Sequence, residues 1–243
     1  MKELVIKLPT ESPSRANVYQ MFDRISHRYD LLNRILSLGL DIHWRNSAIE
    51  ELEDERHERV LDLACGTGDV AIAAARANKH RRVVAVDMAS QMLTIAQSKI
   101  ERAGLRERIQ LTRGDGMSVP AGDSSFDAAS IAFGIRNMPD TLACLREMLR
   151  VIRSGGTVVL LEFSLPANTI LRKIHLMYLR WVLPVIGKVL SGDNYAYSYL
   201  NKTIETYPYG EQFCALMTQT GFVAVKARSL SMGIVTIYTG IKP

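Results

Sequence analysis

From residue 60 to residue 163 the chain alternates short apolar runs with longer stretches in which apolar residues recur every three or four positions. The runs Val60–Ala64, Arg82–Asp87, Ile109–Arg113, Phe126–Phe133 and Thr157–Phe163 have the length of buried strands. The stretches Ser90–Ala103 and Pro139–Arg150 carry helical periodicity, with Ser90 placed as an N-cap and Gly104 as a stop. The pair Gly155-Gly156 turns the chain into the fifth strand. Pro208–Thr220 reads as a further helix, and Phe222–Arg228 and Gly233–Gly240 as two closing strands joined by a short turn. Regular alternation of this kind predicts an α/β fold with a doubly wound, mostly parallel sheet.

Two segments fall outside the alternation. Asn17 to Trp44 precedes the first strand and is rich in Leu, Ile, Phe and Tyr at helical spacing, with Asp23, Arg24, Arg28 and Arg34 between them. Residues 17–58 are therefore expected to form a helical cover. The acidic run Glu50 to Glu58 is its solvated end. Residues 166–207 interrupt the alternation after the fifth strand and carry Tyr178, Trp181, Tyr195, Tyr197, Tyr199 and Tyr207. They are expected to build a substrate chamber, so the whole of 1–243 reads as a single domain with these two elaborations.

Composition narrows the class without deciding it. A chain of 243 residues, 47% hydrophobic, has enough apolar material for a full core. The net charge of +5 is compatible with RNA or with an anionic membrane surface and requires neither. Cys65, Cys144 and Cys214 stand far apart, which argues against a disulfide framework and a metal site and fits a reducing compartment. Met1 to Pro13 lacks the apolar core of a secretory signal. Ile170 to Leu190 is apolar but broken by Arg172, Lys173, Arg180, Pro184 and Lys188, a poor spanning helix.

The chemistry begins at Val60-Leu61-Asp62-Leu63-Ala64-Cys65-Gly66-Thr67-Gly68-Asp69. Gly66 and Gly68 remove two Cβ atoms where strand becomes helix, so a ligand can lie against backbone near the free amides of the next helix. The second strand ends in Asp87, where an acid accepts hydrogen bonds from ribose hydroxyls in nucleotide-binding α/β folds. Gly66-x-Gly68-x-x-Ala71 also satisfies the dinucleotide fingerprint, so NAD remains an alternative on this pattern alone. Asp115, in the turn Gly114-Asp115-Gly116 after the third strand, can accept from an exocyclic amine, although an Asp-Gly turn needs no ligand. The fourth strand delivers Gly134-Ile135-Arg136-Asn137 to the same edge.

Asp-Leu-Ala-Cys-Gly-Thr-Gly-Asp resembles motif I of class I S-adenosylmethionine (SAM) methyltransferases, a Rossmann-like fold. More widely, the chain resembles the UbiE/MenG family of quinone-biosynthesis C-methyltransferases from about Tyr19 to Lys242. The stretches that carry this are Tyr29 to Asn33 with Trp44-Arg45, Asp62 to Asp69, Gly114-Asp115, Phe133 to Asn137, Leu161 to Ser164, and Leu183 to Gly187 followed by Tyr197 to Leu200. The resemblance implies methylation by SAM of a ring carbon in a prenylated quinol, either demethylmenaquinol or a methoxy-benzoquinol. It places SAM against Asp62, Gly66, Thr67, Gly68, Asp87, Met88, Asp115, Gly116 and Ala132. Arg153-Ser154 stands where the family usually has Lys-Pro, and Ala132 where a serine often precedes Phe-Gly.

A quinol carbon is a weak nucleophile until the neighbouring hydroxyl ionises, so the site needs a base or a cation that stabilises phenolate. Arg136 can supply the cation and Asn137 a donor, while proton removal falls to a water or to the cluster of Tyr29 and Asp30. A structural salt bridge is the competing role for Arg136. Two other functions stay open: an RNA methyltransferase, and a non-catalytic SAM- or lipid-binding partner in a quinone-synthesis assembly. The preferred reading places the protein in the cytoplasm, peripheral at the inner membrane face, without a nucleic-acid partner, and leaves a homodimer or larger assembly open.

Overall fold

The computed structural model describes residues 15–52, 56–185 and 194–243. In chain order the helices are α1 (Arg15–Leu36), α2 (Leu40–Glu50), α3 (Asp69–Ala77), α4 (Ser90–Arg102), α5 (Thr141–Val151), α6 (Thr169–Met177), α7 (Asn194–Thr206) and α8 (Glu211–Thr220). The strands are β1 (Arg59–Leu63), β2 (Arg82–Asp87), β3 (Ile109–Arg113), β4 (Phe126–Ala132), β5 (Ile152–Phe163), β6 (Val223–Leu230) and β7 (Val235–Ile241). They form one sheet in the order β3-β2-β1-β4-β5-β7-β6. Strands β1 to β5 pair in parallel, and β7 enters antiparallel to both β5 and β6. The sheet is thus the doubly wound, mostly parallel one that the alternation predicts, with the direction of its last hairpin added.

Strand β1 sits near the middle, where both faces are covered, and this explains its unbroken apolar run. Leu61 and Leu63 point into a core built with Leu145, Met148, Phe213 and Met217 of α5 and α8. Val60 points to the opposite core, with Ala71 and Ala74 of α3, Ala96 of α4 and Trp44 of α2. A third cluster, Met21 and Leu32 of α1 with Leu179, Leu183 and Ile204, ties the N-terminal helix to the segment after β5.

Local differences from the sequence expectations have physical causes. Strand β4 stops at Ala132, where Phe133 takes a positive φ of 55° and turns the chain out of the extended conformation. Helix α5 starts at Thr141, since Asp140 is its N-cap and accepts from the Ala143 amide at 2.9 Å. Strand β5 begins five residues early and absorbs Arg153 to Gly156 as a bulge against β4, with Gly155 at φ 73°. Ser90 does not cap α4. Ala89 holds the cap position, its amide goes to Asp87 Oδ1, and the Gln91 amide is taken by Asp23 of α1 at 2.9 Å. A carboxylate from another helix therefore does the work assigned to the local serine.

Candidate active site

Three residues in the turn after β1 have positive φ: Ala64 at 51°, Gly66 at 54° and Gly68 at 82°. This coil brings the Gly66 amide onto Asp87 Oδ2 at 2.8 Å, while Asp87 Oδ1 takes the Ala89 amide at 2.8 Å. Burial pushes the Asp87 carboxyl above its ordinary value, opposed by the Ala89 and Gly66 amides. A Cβ on Gly68 would meet Ala96 of α4 at 3.2 Å, whereas one on Gly66 would meet nothing within 4 Å. Gly66 is therefore required for its backbone conformation and leaves open space in front of it.

That space is a cleft at the carboxyl ends of the strands, lined by Gly66, Asp87, Met88, Asp115, Gly116 and Ala132, with Gly134 and Asn137 across from them. Its walls are close: a Cβ on Gly116 would lie 2.7 Å from Met138 Cε, and one on Gly134 2.7 Å from Ala64 Cβ. Asp115 Oδ1 accepts from the Met117 amide at 3.0 Å, which fixes the turn. Asp62, Thr67 and Gly68, expected against the cofactor, are not on the cleft wall. Asp62 is buried on β1, where Oδ1 accepts from Ser130 at 3.0 Å and Oδ2 has no hydrogen-bond partner among the described residues. Burial pushes its pKa up to about 7, with the Ser130 hydroxyl opposing.

A second, larger cavity of about 410 Å³ adjoins the cleft, and Phe22, Tyr29 and Phe133 line both. Its wall is mostly apolar: Met21, Ile25, Leu32, Trp44, Phe163 and Leu183 among others. Phe133 owes its position to the strained φ, which turns its ring onto Phe163 at 4.6 Å and beside Trp44 at 6.2 Å. The 3-10 turn Ile135–Asn137 follows at once. Arg136 Nη1 donates to Glu162 Oε1 and to the Phe133 carbonyl, both at 2.7 Å, and the guanidinium lies 5.2 Å from the centre of the Phe163 ring. Arg136 is therefore a buried salt-bridge partner and a chamber residue at once. Its Nε is buried without a partner among the described residues. Asn137 donates to the Phe133 carbonyl at 3.2 Å and accepts from the Tyr199 hydroxyl at 3.2 Å, linking the cleft to the chamber.

Tyr29 reaches both cavities, but its neighbour Asp30 lines neither. Asp30 Oδ1 accepts from Thr67 Oγ1 at 2.6 Å and Oδ2 from Lys99 Nζ at 2.7 Å. Lys99 also pairs with Asp69, Asp69 lies 3.6 Å from Arg45, and Arg45 pairs with Asp41. Asp30 and Thr67 thus clasp α1 to the glycine turn instead of facing a substrate.

The model of the ubiE/COQ5 methyltransferase family matches residues 10–242. The chain belongs to this family. A demethylmenaquinone methyltransferase of Bacteroides fragilis is 41% identical over 225 residues, covering 93% of this chain and 92% of its own length. The ubiquinone/menaquinone biosynthesis C-methyltransferase UbiE of Syntrophotalea carbinolica is 44% identical over 222 residues, covering 91% of this chain and 92% of its own length. Among solved structures, a SAM-dependent methyltransferase of Thermotoga maritima superposes with a TM-score of 0.63 at 16% identity, over 93% of this chain and 99% of that one, a likeness of fold. As a member of the ubiE/COQ5 family the protein is a methyltransferase, with the class I methyltransferase fold.

Sequence reading missed several residues of the site. Glu162 stood within Leu-Glu-Phe-Ser, yet only the fold reveals it as the partner of Arg136. Lys99 and Asp69 lie 30 residues apart in sequence and carry no local signal of their meeting. His175 reads as part of an amphipathic helix, and its place on the chamber wall depends on how α6 is turned.

Proposed function

We propose that the protein is a SAM-dependent C-methyltransferase that methylates a ring carbon of a prenylated quinol in menaquinone or ubiquinone biosynthesis. The observation that carries this reading is the meeting, at Phe22, Tyr29 and Phe133, of a narrow cleft that presents Asp87 and Asp115 with a large apolar chamber. Such a pair suits a nucleoside methyl donor on one side and a flat apolar ring on the other. The residues present fit SAM: Asp87 for the ribose hydroxyls, Asp115 for the adenine amine and the Gly66 turn for the methionine chain. Bound there, SAM supplies an electrophilic methyl group. The protein's share is to exclude water, hold the ring carbon in line at ~3 Å, and stabilise charge on the ring oxygen. Phe133, Phe163 and Trp44 offer the ring a dry aromatic wall, and Arg136 with Asn137 offers the oxygen donors.

The apolar tail of such a substrate needs a route from the bilayer. Ile170, Ile174, Met177, Trp181 and Val185 form an exposed apolar stripe along α6 and the helical turns after it, with Trp181 73% exposed. Ile174 and Met232 are both exposed and on the chamber wall. Among the described residues no helix is long and apolar enough to cross a membrane. Peripheral attachment through this stripe, with Lys173 beside anionic headgroups, fits these observations. Residues 186–190, the end of the apolar and basic stretch Ile170 to Leu190, lie outside the described residues.

Single-turnover methyl transfer from labelled SAM to reduced demethylmenaquinone and to the benzoquinol analogue tests the reading. Labelled C-methyl product from either is the expected result, and the faster acceptor identifies the ring. No product from either quinol in a folded, SAM-binding protein sinks it. In the same assay Asp87→Ala should weaken SAM binding by about 1.5–3 kcal/mol while the fold persists. Calorimetry with an unchanged SAM affinity would remove Asp87 from the cofactor site.

A further inference from the structure

Where the chamber meets solvent, its wall is aliphatic. Of the described side chains that line it, the largely exposed ones are Leu38 (88%), Leu40, Ile174 and Met232 (72%). None of these lines the cleft, so the chamber joins the cleft at one place and opens to solvent at another. The four come from the turn between α1 and α2 with the start of α2, from α6, and from the turn between β6 and β7. Hydrogen bonds close these elements into a ring. Tyr178, just after α6, donates to the Leu36 carbonyl at 2.8 Å, Trp44 of α2 donates to Ser231 Oγ at 2.8 Å, and Ser164, ahead of α6, donates to the Gly233 carbonyl at 2.7 Å. Two of the rim residues are held at a conformational cost: Leu38 has φ 54° and Met232 φ 56°, in the left-handed region that glycine and asparagine occupy far more readily. A turn that faces only water gains nothing from leucine or methionine there. Strained positions that display exposed aliphatic side chains at a cavity mouth point to an apolar group that covers them.

We propose that this rim is the subsite for the linear apolar tail of the substrate: the ring sits at the junction of Phe22, Tyr29 and Phe133, and the chain attached to it leaves the chamber between Leu38, Leu40, Ile174 and Met232. The inference rests on the prenylated-quinol reading above and adds the path of the tail and the residues that select for it. A ring alone fills the junction and leaves the rim hydrated, whereas a tailed acceptor covers the rim and removes its apolar surface from water. The rim therefore favours tailed over tail-less acceptors. A polar or charged extension of the ring finds no charged partner there, because the charged groups on the chamber wall, Asp41, Arg45 and Arg136, are buried in ion pairs. The acyl chain of a membrane lipid has the same chemistry as the tail, and an assay without lipid separates the two sources.

The faster of the two quinols is assayed without lipid, once with a tail of two isoprene units and once with none. In wild type the tail should lower KM about tenfold or more, the factor that burying roughly two methylene groups gives. Leu38→Glu and Met232→Glu alter exposed side chains and leave the core untouched. Each should raise KM for the tailed acceptor about tenfold, with kcat/KM for the tail-less one within about twofold of wild type. Met232→Leu should behave as wild type. Independently of turnover, farnesol, a chain without a ring, should saturably shift the 13C-methyl resonance of Met232, assigned by its absence in the Leu variant. Glu variants that impair both acceptors equally or neither, or a Met232 methyl that farnesol leaves in place, overturn the inference. An effect of the Glu variants that appears only when vesicles are added also overturns it and makes the rim a lipid contact. If wild type methylates no quinol while farnesol still moves Met232, the functional reading fails and the apolar-chain subsite survives.

Discussion

Asp62 and Arg136 owe their chemistry to burial. The Asp62 pKa rises from 3.8 to about 7 on folding. Above pH 7 the folded protein therefore carries an ionised, half-satisfied carboxylate that costs on the order of 4 kcal/mol. That cost falls away as the pH drops from 7 towards 3.8, because the folded state binds the proton first. Asp62→Asn should accordingly raise the thermal midpoint of the ligand-free protein at pH 8, with the gain vanishing near pH 4. A midpoint difference independent of pH would show that Asp62 is not the titrating group. Arg136→Ala has a different signature. It strands Glu162, 2% exposed, without its cation, so a loss of about 3–5 kcal/mol is expected in denaturant unfolding. Arg136→Ala combined with Glu162→Gln should recover much of that stability but not the turnover, since the chamber still lacks its cation. Recovered turnover in the double variant would reduce Arg136 to a structural role.

At the scale of elements, the cover is held by few but specific links. Helix α1 reaches the glycine turn through Asp30, Thr67 and Lys99, and reaches the start of α4 through Asp23. These groups are partly exposed, with Lys99 at 18% and Asp30 at 36%, so each link contributes modestly and the set acts as a clasp. Lys99→Met leaves the carboxylates of Asp30 and Asp69 less well paired and should speed hydrogen exchange of α1 amides about tenfold, with strands β1 and β4 unchanged. Uniform protection in both proteins would mean that the apolar cluster of Met21, Leu32, Leu179 and Ile204 holds α1 without help.

At the scale of the molecule, the apolar stripe around Trp181 continues from α6, whose Ile174 is both exposed and on the chamber wall, and the net charge is +5. Burying a large aromatic and several aliphatic side chains in a bilayer surface stabilises attachment by a few kcal/mol, at about 25 cal/mol per Å². Liposomes containing anionic lipid should float the protein at low salt, and Trp181→Asp should abolish flotation while leaving methyl transfer to a short-tailed, water-soluble quinol intact. Retention of flotation by that variant would move the membrane contact elsewhere.

The sequence by itself determined the parallel sheet, the glycine turn after β1 and the acid at the end of β2, because buried strands need unbroken apolar runs and a backbone-lined cleft needs glycine at positive φ. It also marked Phe133 to Asn137 and Leu161 to Ser164 as unusual, without their relation. Tertiary structure decided that these two stretches meet as Arg136 and Glu162, that Asp30 clasps the cover to Thr67 and Lys99, and that α4 is capped by Asp23 and not by Ser90. Each of these pairs joins residues distant in sequence, and side-chain partners across such distances follow from packing, not from local periodicity. The orientation of the segment after β5 belongs with them: the way α6 and the helical turns after it are rotated puts His175 on the chamber wall and Trp181 in solvent.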